Sequence, residues 1–309
     1  MRWTPRIVPL ETGTLSVRTS PSGTLLDGSG ERRRAVMIHG LGGSSLNWIE
    51  LMAELDADLD TVAVDLPGFG ASPPPRDGDY SPRGHARSVA MLLDHLDDLA
   101  GRSTPGGWQV FGNSLGGSVA LHLAAQRPDL VASLTLIAPA LPARRLRRGT
   151  AHMPVIAIPG VGERLVDRYM KLSVERRVDD TFRSVFADPQ RLSDERRRMS
   201  EDEARRRDGL PYVTDATLSS LRGLLTTFFD AGPDRPWKLA ERVEVPVVTV
   251  YGQRDQLVDA KAAHRVTRHF PDAHVVVLPD SGHVAMMEHP AEVAGAWRRF
   301  IGRVAVPTA

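Results

Sequence analysis

Ser114 stands in Gly112-Asn113-Ser114-Leu115-Gly116-Gly117, with the strand-like run WQVF before it and the helical stretch SVALHLAAQ after it. A serine on a sharp strand-to-helix turn is held in strained backbone angles that expose its hydroxyl, and the positive end of the following helix faces it. The flanking glycines let the backbone pass closely. Such a hydroxyl is a nucleophile that lacks only a base to take its proton and an acid to orient that base.

His283 and Asp255 fit those two roles. His283 ends Pro279-Asp280-Ser281-Gly282-His283, a loop after the last strand-like run, and Asp255 ends Gly252-Gln253-Arg254-Asp255, just after the preceding one. In a parallel sheet all strand C-termini share one edge, so three residues far apart in sequence converge there. Asp259 and Asp280 are rival acids, but Asp259 reads as a helix cap and Asp280 as a turn residue. There are ten histidines. His85, His95, His122, His264 and His269 fall in helical stretches and read as packing or surface residues, and His289, before Pro290, as structural. Backbone donors for a developing oxyanion come from Val36-Met37-Ile38-His39-Gly40-Leu41-Gly42-Gly43 on the same edge. The amide of Leu41, with Gly42 as the alternative, pairs there with that of Leu115, and His39 reads as a support for the loop. The loop has no G-K-[ST] or G-x-G-x-x-G pattern for phosphates.

Strands and helices must alternate to place these groups. RAVMIHG, DTVAVDLPG, WQVFGNS and ASLTLIAPA are separated by helical patterns near Leu46–Leu55, Pro82–Ala100 and Leu115–Arg127. Strand then helix, repeated, predicts a mostly parallel sheet. RIVPLETG and TLSVRTS suit an antiparallel hairpin at its edge. The alternation stops at Pro139 and resumes with PVVTVYGQRD, a helix over Asp259–Phe270, AHVVVLPDSGH, and a closing helix over Val284–Val304. Between lies a charged, helix-rich stretch bounded by prolines. The chain therefore divides into a core over 1–139, a helical insertion over 140–236 and a second core part over 237–309. Within the insertion, ERRRMSEDEARRRDG reads as a solvated helical face.

Composition narrows the field without choosing within it. With 309 residues, 25% charged, a net charge of +1 and no cysteine, the chain excludes disulfides, thiolate metal sites and a cysteine nucleophile. Nothing global points to nucleic acid or an anionic membrane. The N-terminus lacks the apolar stretch of a signal peptide, and no run reaches the roughly 18 apolar residues of a membrane span. These readings place the chain in the cytoplasm without integral membrane contact.

The five motifs HGLGG (39–43), DLPGFG (65–70), GNSLGG (112–117), GQRD (252–255) and SGH (281–283) occur in an order that resembles the α/β-hydrolase superfamily over nearly the whole chain. The resemblance implies a mostly parallel sheet of about eight strands with helices on both faces and a helical cap inserted after the sixth. It also implies a Ser114–Asp255–His283 triad with the Leu41 and Leu115 amides as oxyanion donors, and no metal or organic cofactor. Serine at the nucleophile position argues against the related dehalogenases and epoxide hydrolases, which use aspartate. Val284 replaces the tryptophan that usually follows the histidine in C–C hydrolases of ring-fission products. The expected chemistry is hydrolysis of a small carboxylic ester through an acyl-enzyme. C–C hydrolysis, haloperoxidase-like or acyltransferase activity, and a silent ligand receptor are the alternatives. For the substrate pocket, Val284 and the face carrying Leu218, Leu221, Leu224, Leu225, Phe228 and Phe229 are the candidates, with the last two and Leu225 as the acyl-contacting residues; sealing the cap is that face's other reading.

Overall fold

The computed structural model describes residues 3–11, 13–20, 32–101, 104, 106–143 and 147–301. Eight strands form one sheet: β1 (Arg6–Leu10), β2 (Gly13–Thr19), β3 (Arg34–Ile38), β4 (Asp60–Val64), β5 (Trp108–Asn113), β6 (Val131–Ile137), β7 (Val247–Gly252) and β8 (Ala273–Leu278). Their spatial order is β1-β2-β4-β3-β5-β6-β7-β8. The first two form the expected antiparallel hairpin, β2 is antiparallel to β4, and all remaining pairs are parallel. β3 to β7 are buried throughout, apart from half-buried Ala132 in β6, as strands covered on both faces must be.

Alternation along the strands feeds two cores. Val36, Ile38, Val62, Val64 and Val110 face one layer, built from α2 (Pro82–Leu99), α3 (Leu115–Gln126), α9 (Pro236–Ala240) and α10 (Ala263–His269). Ala35, Met37, Ala63 and Phe111 face the other, built from α1 (Ile49–Leu55), α11 (Ala285–Glu288) and α12 (Pro290–Phe300). The closing helix expected as one piece is two. His289 sits at φ −139°, ψ 55°, because the ring of Pro290 disfavours helical geometry in the residue before it. The end of that expected helix, at Val304, lies outside the described residues.

Between β6 and β7 the described elements are all helical. They are α4 (Met153–Ile156), α5 (Val161–Met170), α6 (Val174–Val185), α7 (Asp194–Asp208) and α8 (Val213–Phe228), with short 3₁₀ turns and then α9. Most charges of α7 are solvated as expected, but Arg196 is buried, bonded to Glu50 at 2.9 Å and to the Leu46 carbonyl at 3.0 Å. Among the described residues no helix is long and apolar enough to cross a membrane.

Burial pushes three histidines below their ordinary value: His39 and His122 to about 4 and His85 to about 3. A histidine depressed in the folded state contributes stability above its unfolded value, near pH ~6.5, and loses it as pH falls towards the folded value. Stability should therefore decline as pH is lowered from about 6.5 to about 4. Among the described residues, His122 on α3 has no partner at either ring nitrogen. His122→Leu should stabilise the fold by about 1–3 kcal/mol by removing an unsatisfied buried donor. The gain should be larger at pH 5 than at pH 8; urea denaturation at both values measures it, and an equal or negative difference would contradict the burial argument.

Candidate active site

β3 and β5 are neighbours, yet the chain leaves them in opposite directions, first to β4 and later to β6. A crevice opens at the C-terminal ends of strands where the order reverses in this way. Gly40 follows β3 and Ser114 follows β5, and a Cβ at Gly40 would stand 3.1 Å from that of Ser114. Ser114 has φ 53° and ψ −116°, one of two non-glycine residues with positive φ among those described. This is the strained turn that the sequence predicts. Its hydroxyl does not cap α3, which leaves it free for a reaction partner. Close packing holds the turn: a side chain at Gly116 would strike the Ile38 carbonyl.

The loop after β3 turns back on itself, with the Gly43 amide donating to the Gly40 carbonyl at 3.0 Å and Gly42 at φ 74°. Leu41 is at its tip, and Leu115 opens α3, where the first amides have no partner within the helix. His39 is fully buried. Its Nε2 accepts from the Leu66 amide at 3.0 Å, so its Nδ1–H donates to the Gly40 carbonyl at 2.8 Å. A neutral ring with both nitrogens engaged is a brace for the loop. Asp65, first residue of DLPGFG, steadies the neighbouring turn by accepting from the Ser45 amide at 2.6 Å and the Ala71 amide at 2.9 Å.

Asp255 and His283 meet as a buried pair, the imidazole Nδ1 lying 2.8 Å from Oδ2. The other carboxylate oxygen accepts from the Leu257 and Val258 amides at 2.7 and 3.0 Å. The rival acids are occupied elsewhere: Asp259 caps the turn at Lys261, and exposed Asp280 pairs with Arg254 at 2.7 Å. No hydrogen bond joins the Ser114 hydroxyl to the imidazole among the described residues; such contacts are often long in unliganded proteins. The two loops are tied through Asn113, whose Nδ2 donates to the His283 carbonyl and the Ile137 carbonyl, both at 3.0 Å. Among the described residues no three His, Asp or Glu side chains form a set that could hold a metal ion.

The helix expected either to line a pocket or to seal the insertion packs on the sheet. Leu224 of α8 belongs to the first core and Phe228 packs on it. Leu225 is half-buried, and Phe229, at the end of the helix, is 86% exposed. The α8 face therefore packs on the sheet, the other reading of that face, and Phe229 contacts solvent. The insertion's apolar face beside the histidine belongs to α6. Val178, Phe182 and Phe186 share a core with buried Val284. Their spacing of four was readable in VERRVDDTFRSVF. A groove of about 360 Å³, lined in part by Lys171, Arg207 and Val213, adjoins the Leu41 loop, because Arg207 donates to the Gly42 carbonyl at 2.7 Å.

Sequence reasoning missed Glu288. Its buried carboxylate accepts from the Gly282 amide at 2.6 Å through one oxygen and from the Ala187 and Asp188 amides at 2.8 and 3.3 Å through the other. The His283 amide itself donates to Val185, the last residue of α6, at 2.7 Å. One carboxylate thus fixes the histidine loop and the insertion together. A glutamine has one accepting oxygen and would turn a donor towards one of these amides. Glu288→Gln should slow labelling of Ser114 by a fluorophosphonate by up to about 10²-fold, the scale of a small misplacement of reacting groups. An unchanged labelling rate with only a lowered melting temperature would make Glu288 a purely structural residue.

A family model described as alpha/beta hydrolase fold matches residues 36–290. The chain is 30% identical over 265 residues to the dihydrolipoyllysine-residue acetyltransferase component of the acetoin cleaving system of Pseudomonas putida, a match covering 84% of this chain and 60% of that protein. It thus spans less than two thirds of that relative. It is 27% identical to the pimeloyl-[acyl-carrier protein] methyl ester esterase of Neisseria meningitidis serogroup C, over 87% of this chain and 93% of the relative. Cfl2 of Burkholderia cenocepacia shares the fold with a TM-score of 0.77 at 21% identity, over 96% of this chain and 94% of that one. With the model matched across most of its length and its eight-stranded sheet in place, the chain belongs to the α/β-hydrolase fold family.

Proposed function

We propose that the chain hydrolyses a carboxylic ester through an acyl-enzyme on Ser114. The observation that carries this reading is the buried Asp255–His283 pair at 2.8 Å, on the sheet edge that also presents the strained Ser114. As Ser114 Oγ attacks the ester carbonyl carbon, His283 takes its proton and the carbonyl electron pair moves onto oxygen, facing the Leu41 and Leu115 amides. The carbon–oxygen bond to the alcohol then breaks, and the alcohol leaves with the proton from His283. Water, deprotonated by His283, attacks the acyl carbon; the acid departs and Ser114 regains its proton. Asp255 keeps the Nδ1 proton on the imidazole and stabilises the imidazolium. The esterase relative supports an ester as substrate. The division into 1–139, 140–236 and 237–309 belongs to the same proposal, with the middle part as a cap over the site.

A fluorophosphonate should label Ser114 stoichiometrically, and Ser114→Ala should abolish both labelling and turnover with melting unchanged. Asp255→Asn should cost on the order of 10⁴ in turnover, by losing the correct tautomer. Undiminished labelling of the alanine variant would place the nucleophile elsewhere. The apolar surroundings of His283 favour an apolar acyl group. Specificity for para-nitrophenyl esters should rise from acetate towards medium chains by up to about fourfold per methylene buried. A profile that is flat or falls from acetate onward would reject this preference.

A further inference from the structure

Ten large hydrophobic side chains are exposed among the described residues, and six of them fall within residues 155–172 of the insertion. They are Val155, Ile158, Val161, Leu165, Tyr169 and Leu172. Scattered singly, such residues need no explanation, but concentration in one short segment marks a contact surface. On α5 the spacing is helical: Val161, Leu165 and Tyr169 share a strip, and Leu172 follows just past the end of the helix. The inner side of the helix is accounted for. Gly162 is buried, and a Cβ there would lie 3.1 Å from the Leu218 side chain of α8; Val166 and Met170 are half-buried. Among the described residues nothing covers the outward strip, with Leu165 43% and Tyr169 39% exposed.

Charge on this helix is sorted around the strip. Arg164 and Arg168 on the helix and Lys171 at its cap, again spaced by four and three, lie beside the apolar face. All three are exposed and form no ion pair among the described residues. The acids Glu163 and Asp167 lie away from the apolar strip: Glu163 is engaged by Arg222 at 2.8 Å, and Asp167 shares the groove of Lys171. An exposed apolar strip bordered by free cations, with acids turned away, is the pattern of a helix that lies in a membrane interface. We propose that α4 and α5 form a docking face for an anionic lipid surface, in which the apolar side chains enter the headgroup boundary and the three cations meet lipid phosphates. A second copy of the chain fits less well, because self-pairing would gather two sets of three unpaired cations in one interface.

The test is sedimentation of the full chain with vesicles of phosphatidylcholine alone and of phosphatidylcholine mixed with phosphatidylglycerol. The protein should partition onto the anionic vesicles, more weakly onto the neutral ones, and less as salt rises from about 0.1 to about 1 M. Leu165→Asp should abolish partitioning. Replacing Arg164 and Arg168 together by serine should weaken it roughly 25-fold, about fivefold per cation. Melting temperature and turnover of a soluble para-nitrophenyl ester should be unchanged in both variants, since neither touches the proposed catalytic groups. Failure to bind anionic vesicles, or binding that Leu165→Asp leaves intact, would overturn the proposal. So would a concentration-dependent dimer that Leu165→Asp dissociates, which would give the face to a second copy.

Discussion

The reversal of strand order between β3 and β5 is the constraint on which the site depends. Because the chain departs to opposite sides from two adjacent strands, no crossover helix covers their ends, and the loop of Leu41 and the turn of Ser114 lie side by side in the opening. The remaining groups must reach this opening from the far half of the sheet. β8 is three strands from β5, roughly 14 Å at ordinary strand spacing, so the loop carrying His283 has to bridge β6 and β7. Asp255, at the end of β7, supports it midway, and Asn113 catches its backbone at the destination. The asparagine beside the serine is thus an anchor, which gives a structural reason for that residue in the GNS tripeptide.

Burial then decides the character of each group. Removing an imidazole from water favours its neutral form, and at His39 this outweighs the nearby Asp65 carboxylate, so the ring can accept from Leu66 while donating to Gly40. Burial likewise pushes Glu50 up and Arg196 down, and their mutual attraction works against both shifts. A pair of this kind adds little net stability but penalises any arrangement in which one partner is buried alone. It therefore specifies where the start of α7 must sit.

Much of this was legible in the sequence because the informative signals are local. Each parallel strand ends in its own loop motif, and strand, turn and helix are adjacent along the chain, so Ser114, Asp255 and His283 could be placed on one edge from spacing alone. The insertion was not legible to the same depth. VERRVDDTFRSVF and the stretch from Leu218 to Phe229 both offer an apolar helical face, and nothing local says which one turns towards the histidine loop. That depends on the path of the chain between them, and it fell to α6. Glu288 gave no signal for a related reason: a carboxylate that accepts only backbone amides has no partner side chain to announce it. The broken final helix, by contrast, was readable from His289-Pro290, since the backbone restriction before a proline is intrinsic to the dipeptide.

Several bonds between the inserted helices and the loops around the opening share one property. Arg147 donates to the Asp255 carbonyl, Arg207 to that of Gly42 and Arg196 to that of Leu46, while the His283 amide reaches the Val185 carbonyl and Glu288 takes the Ala187 and Asp188 amides. In each, at least one partner is a main-chain atom, which any residue other than proline supplies equally. Each of these bonds is therefore insensitive to most side-chain changes on its main-chain side. If the insertion is the cap proposed above, its other side chains can be exchanged without loosening these bonds, so long as the bonding arginines stay and the backbone keeps its course. A fold fastened in this way can change what it admits while conserving how it reacts, and the insertion is where new specificity can evolve at least cost to the chemistry.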